Sequence, residues 1–132
     1  MQNPRMTFAR SILVAAALIG AAAVLLGAFG AHTLRDSLDE RALATWHTAV
    51  DYQFWHALAL LATGVLMRTA TPSALRIASL AFCAGILLFC GSLYLLALDA
   101  PRGFGAVTPL GGVALIAGWL ALALHAWRSR DD

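Results

Sequence analysis

Four uncharged, strongly apolar stretches divide this chain, at residues 11–31, 52–67, 77–98 and 103–127, with short charged or Pro/Gly-bearing segments between them. A helix needs about 20 apolar residues to cross a bilayer core. Three stretches reach that length, and the second does so if its helix starts earlier. Soluble domains are roughly half apolar and about a quarter charged. This chain is 61% hydrophobic and 12% charged, with a mean hydropathy of +0.77. A soluble core of 132 residues cannot hide that much apolar surface, so the bilayer must solvate it. The expected fold is all-α: a four-transmembrane-helix bundle with an amphipathic extension at the start of the second helix. The spans are expected at about 10–31, 50–67, 77–98 and 104–127, and the amphipathic segment at about 38–50. Residues 1–132 are read as one integral membrane domain, because no connection is long enough to fold alone.

The net charge of +2 is set by arginine against aspartate and glutamate, with no lysine present. That balance points to no nucleic acid and no acidic ligand; the informative feature is where the arginines fall. Arg5, Arg10, Arg68, Arg76, Arg128 and Arg130 belong to the N-terminus, the middle linker and the tail. Only Arg35, Arg41 and Arg102 belong to the other two connections. By the positive-inside bias, both termini are expected in the cytoplasm, with the chain in a bacterial plasma (inner) membrane. Arg5 and Arg10 ahead of an apolar run also suit a cleaved signal peptide. Phe29 would then fill a slot that cleavage after Ala31 reserves for a small residue, and the run exceeds a typical signal core. The first span is therefore read as a retained anchor.

In the first span Ala16, Gly20, Ala23, Gly27 and Gly30 recur every three or four residues and give one helix face without bulk. Small residues let membrane helices approach closely, so this seam is expected to pack on a neighbour. Ser37 followed by Glu40 matches a capping box. From Leu38 no Gly or Pro occurs until Gly64, which predicts one helix from about 38 to 67. Trp46, Tyr52 and Trp55 are placed at the depth of an interfacial aromatic belt. Pro72 turns the next linker, Pro101 and Gly103 break the following one, and Thr108-Pro109 opens the fourth span. Cys83 and Cys90 share a helix face but lie roughly 10 Å apart along its axis. That exceeds the reach of a disulfide, and they read as small buried apolar residues.

Helical phase sorts the polar residues of the second span. Thr45, Tyr52, His56 and Thr63 fall near one line at about 100° per residue and should face the bundle, with Gln53 flanking them. His47 and Asp51 form an i,i+4 pair on a face rotated away from His56. An ionisable group inside a span is costly, which makes His56 the leading candidate. His32 ends the first span on the same side of the membrane. Ser92, Tyr94 and Asp99 arrive there from the third span, and Thr108 from the fourth. The candidate binding residues are therefore His32, Tyr52, Gln53, His56, Tyr94 and Thr108. Such convergence suits either a small-molecule or metal site or a hydrogen-bonded plug, and the plug is the simpler reading. His125 lies at the opposite end beside Arg128. No HExxH, CxxC, phosphate-binding glycine loop or Ser-His-Asp pattern occurs, so no catalytic residue, metal set or cofactor is assigned.

These same residues carry a family resemblance. G-A-F-G-A-H at 27–32 is followed by Trp46, Thr48, Ala49, Tyr52, Gln53 and His56, then G-S-L-Y at 91–94, T-P-x-G-G at 108–112 and Gly118-Trp119. In order and spacing they resemble domain of unknown function family 423, small four-span membrane proteins related to transmembrane protein 256. The likeness runs from about residue 8 to 127. It implies integral membrane proteins of bacteria and mitochondria with no established activity, and it supplies no mechanism.

Three functions suit such a chain. The first is a non-enzymatic accessory or assembly protein whose partners are the lipid bilayer and a larger membrane complex or a second copy of itself. The second is a membrane site for a metal, haem or quinone built on His32 and His56. The third is an oligomeric pore or transporter, since four short helices enclose no wide path alone.

Overall fold

A computed structural model describes residues 4–129, and all of its regular structure is helical. The first helix, α1, runs Pro4–His32. Proline suits a helix start because its missing N–H would be unpaired there. His32 in the last turn favours the negative end of the helix dipole. A 3-10 turn at Leu34–Asp36 reverses the chain into α2, Glu40–Leu66. This matches the predicted uninterrupted helix to within two residues at its start.

The cap of α2 differs from the expected one. Asp39, not Ser37, holds the extended conformation of an N-cap, and its carboxylate accepts the Ala42 N–H at 2.7 Å. Ser37 has helical φ/ψ because it closes the preceding 3-10 turn, donating its N–H to the Leu34 carbonyl. A residue in that conformation has no route to cap the next helix.

After the Pro72 turn, α3 spans Ser73–Ala97. Its middle is a π-helical turn, Ile86–Cys90, which local sequence does not announce. The helix ends in a Schellman arrangement: the Ala100 N–H reaches the Leu95 carbonyl and the Asp99 N–H reaches that of Leu96. Asp99 takes the left-handed position of that motif with φ 63°, where glycine is usual. Asp99→Gly is therefore expected to stabilise the protein by about 1 kcal/mol, read as a rise in thermal midpoint in detergent. An unchanged or lower midpoint would show that the aspartate is not strained. A second 3-10 turn, Arg102–Ala106, leads into α4, Val107–Arg128.

Consecutive helices pack antiparallel. Glycines set the spacing of α1 on α2: a Cβ on Gly30 would lie 2.6 Å from the Trp46 indole, and one on Gly64 2.9 Å from Leu13. The small-residue seam of α1 thus faces α2 as its period predicts, with Ala16, Ala23 and Gly30 buried. On the other side, Gly118 receives the Phe82 ring, Gly85 receives Leu115, and Gly111 lies directly against the Phe89 backbone. The centre is filled by Leu60, Met67, Leu75 and Phe82, all at most 2% exposed. Large apolar side chains also cover the outside, among them Leu25, Leu87 and Trp127, each more than 70% exposed.

Three helical segments are long and apolar enough to cross a membrane: Pro4–His32, Ser73–Ala97 and Arg102–Arg128. The second helix has the length but not the uniform hydropathy. Asp51, Tyr52, Gln53 and His56 fall within six positions at its centre.

Candidate functional site

The polar residues of α2 divide by face. Gln53, His56 and Thr63 are buried and Tyr52 and Thr45 half-buried, whereas His47 and Asp51 are exposed. Phase alone predicts that division. Thr63 donates within its own helix to the Ala59 carbonyl at 2.8 Å, and Thr45 likewise to Arg41 at 3.1 Å. The other groups join different helices.

Gln53 is the hub. Its Nε2 donates to the Ile19 carbonyl of α1 at 3.0 Å, while its Oε1 accepts the Tyr94 hydroxyl of α3 at 2.8 Å. Two turns away, Trp46 Nε1 donates to the Leu26 carbonyl at 2.9 Å, and the Trp46 ring meets Tyr94 edge-on at 4.7 Å. Trp46 and Gln53 lie seven residues apart on α2, and the carbonyls they reach lie seven apart on α1. The antiparallel pair is therefore fixed at two points in one register. Trp46 is 3% exposed, so its ring is turned into the bundle. The notch at Gly30 admits the indole to the core. Trp55, 54% exposed, remains outside.

His56 joins α2 to α4. One ring nitrogen, Nδ1, lies 2.7 Å from the Tyr52 carbonyl, and Nε2 lies 3.1 Å from Trp119 Nε1. A carbonyl only accepts and an indole N–H only donates, so the pattern specifies the neutral ring with its proton on Nδ1. Tyr52 stacks on His56 at 5.7 Å and tilts onto Phe89 at 4.6 Å, and Phe82 and Trp119 meet edge-on at 5.5 Å. Ser92 and Thr108 form the third junction, with hydroxyls 2.6 Å apart between α3 and α4.

The candidate residues thus occupy three junctions, and His32 joins none of them. It is exposed at the end of α1. Because Gly30 lies level with Trp46 and Gly20 with Ala57, His32 and His56 are separated by about 18 Å along the bundle at 1.5 Å per residue. A metal or haem held between these two histidines does not fit that separation, and both nitrogens of His56 are already bonded. Among the described residues no group of three His, Cys, Asp or Glu is placed to hold a metal ion. Asp99 is exposed at the end of α3 and takes no part in the cluster. Sequence reasoning overlooked Trp46 and Trp119 as members of the site. The signal was present for both: each tryptophan belongs to the motif set, and Trp119 donates to His56, another member of it.

Every buried side-chain nitrogen and oxygen among the described residues has a hydrogen-bond partner. Chemically, then, the arrangement fastens four helices together at mid-bundle and near one end.

The family described as "Protein of unknown function (DUF423)" matches residues 26–112. The UPF0382 membrane protein SSP2132 of Staphylococcus saprophyticus is 42% identical over 88% of this chain and 96% of its own length. YwdK of Bacillus subtilis, also a UPF0382 membrane protein, is 42% identical over 79% of this chain and 85% of its own. The UPF0382 inner membrane protein YgdD of Escherichia coli K12 is 39% identical over 90% of this chain and 91% of its own. No solved structure matches.

Proposed function

We propose a role for this chain, which belongs to the DUF423 family, as a four-span, non-enzymatic accessory or assembly protein of a bacterial inner membrane. It acts through its helix surfaces, on a larger membrane complex or on a second copy of itself. In this reading α2 crosses the bilayer with the other three helices, and both termini lie in the cytoplasm. The inner-membrane assignment is supported by the name of the Escherichia coli relative, and the orientation by the arginine bias.

One observation carries the reading: the buried polar side chains that link helices are engaged with one another or with helix carbonyls. Such a bundle is a rigid body whose variable surface is its exterior. There α1 presents Leu18, Val24 and Leu25, and α4 presents Leu110, Val113, Ile116 and Leu120, each at least 60% exposed. Helix surfaces of this kind are covered in a bilayer either by lipid or by other helices.

Extraction in a mild detergent is expected to recover the chain with a larger membrane assembly. Recovery as a detergent-bound monomer alone would overturn the accessory role. The threading is tested separately, with Thr69→Cys and Ser129→Cys introduced one at a time into a C83S/C90S background. Both sites are expected to react with an impermeant maleimide from the cytoplasmic side, and reaction of either from the periplasmic side would refute this threading.

A further inference from the structure

The two ends of the bundle differ sharply in charge. By sequence, the segments where α1 begins, α3 begins and α4 ends carry Arg5, Arg10, Arg68, Arg76, Arg128 and Arg130 against Asp131 and Asp132 of the tail. At the other end Arg35, Arg41 and Arg102 are mixed with Asp36, Asp39, Glu40 and Asp99. The cationic end contains a cleft of about 290 Å³ between the first turns of α1 and α3, lined by Pro4, Arg5, Phe8, Thr71 and Arg76.

Its parts are fixed from below. Phe8 is half-buried and packs against the main hydrophobic core. The Arg76 guanidinium sits over that ring at 5.4 Å from its centroid, a cation–π contact that restrains a long side chain. A guanidinium held by its face keeps its N–H edge available, and that planar edge suits two phosphate oxygens at once. Arg5 supplies a second cation from the opposite wall, and Thr71 a hydroxyl. Two of the five lining residues, Pro4 and Phe8, are apolar, and the uncharged run of α1 begins at Ser11, less than one turn beyond Phe8.

We infer that this cleft binds the phosphodiester headgroup of an anionic glycerophospholipid. Phosphate chemistry alone would also suit a free anion, but the apolar wall and the adjoining apolar helix favour the lipid. A phosphate tethered by acyl chains is presented to this depth at high effective concentration, and a free one is not. Basic pockets between membrane helices are a recurrent mode of anionic headgroup recognition. This site is separate from the mid-bundle junctions and stands whether or not the chain has a protein partner.

The test is native mass spectrometry of the full chain in detergent, titrated with phosphatidylglycerol, phosphatidylcholine or inorganic phosphate. Retention of phosphatidylglycerol well above phosphatidylcholine is expected. The R5Q/R76Q variant should bind phosphatidylglycerol roughly thirty-fold more weakly, about five-fold for each cation removed near a membrane surface. The R68Q/R128Q variant removes the same charge from the same end and should keep wild-type binding. All four side chains are exposed, so both variants should fold. As a second readout, phosphatidylglycerol should raise the thermal midpoint of the wild type and of R68Q/R128Q, and not that of R5Q/R76Q. Equal loss in the two variants would overturn the cleft in favour of a diffuse cationic field. Equal retention of the two lipids would overturn anionic selectivity, and displacement of phosphatidylglycerol by inorganic phosphate would replace the lipid with a free anion.

Discussion

Gly111→Ala should separate α3 from α4 and cost the bundle about 3 kcal/mol or more, at the upper end of overpacking losses. A methyl group there would overlap the Phe89 backbone nitrogen and approach its Cα at 2.7 Å and the Leu88 carbonyl carbon at 2.8 Å. A flexible side chain yields to such a clash by rotating. Backbone inside the π turn yields only if the two helices move apart. That movement would also strip Gly118 from the Phe82 ring and weaken the Ser92–Thr108 bond. Neighbouring glycines provide the contrast. Gly112→Ala would bring a methyl group to ordinary contact with the Phe89 ring, 3.7 Å away, and Gly91→Ala would meet nothing within 4 Å. Both should leave stability unchanged or raise it by up to about 1 kcal/mol through helix propensity. Thermal unfolding in detergent, followed by circular dichroism, ranks the three. A Gly111→Ala midpoint equal to that of Gly112→Ala would refute the close approach.

Gln53→Ala should be the next most damaging change, at about 2–3 kcal/mol. It deletes two interhelical hydrogen bonds, each worth about 0.6–1.7 kcal/mol in a bilayer, and leaves a cavity at a position only 6% exposed. It also leaves the Tyr94 hydroxyl without its partner. Tyr94→Phe removes one bond together with the donating hydroxyl and leaves Gln53 Oε1 without that partner, so it should cost about 1 kcal/mol. In the double variant the bond between them is counted once. The two losses should therefore sum to more than the double variant shows, by about the worth of that bond. Strict additivity would mean that the Gln53–Tyr94 bond contributes nothing.

Much of this architecture is written in local pattern. Apolar runs bounded by Pro72, Pro101 and Gly103 locate the helices. The small residues of α1 recur with the helical period and do face a neighbour. Phase also separates His47 and Asp51 from His56, because rotation about one axis depends only on residue count. Depth along the axis is different information. His32 and His56 arrive on the same side of a drawn span, yet their axial separation is set by how α1 and α2 slide past each other. That register depends on Trp46 entering the notch at Gly30 and on Gln53 reaching the Ile19 carbonyl. Both are contacts between residues far apart in the chain. The cap of α2 failed for a local reason. Ser37 and Asp39 are both capable acceptors, and the 3-10 turn at Leu34–Asp36 decides between them. The π turn escapes sequence reading altogether. It inserts a widened turn ahead of Ser92 and Tyr94, shifting their angular positions relative to an unbroken helix.

The two anchor points on α1 are the main-chain oxygens of Ile19 and Leu26. Main-chain oxygens are supplied by any amino acid, so the second helix grips the first without regard to which side chains sit at those two sites. Mutational drift there spares these two hydrogen bonds, provided that the helix persists and Gly30 stays small, and alters only the packing of Ile19 and Leu26 against the core. The outer face of the first helix is in effect decoupled from its fastening and open to be rewritten.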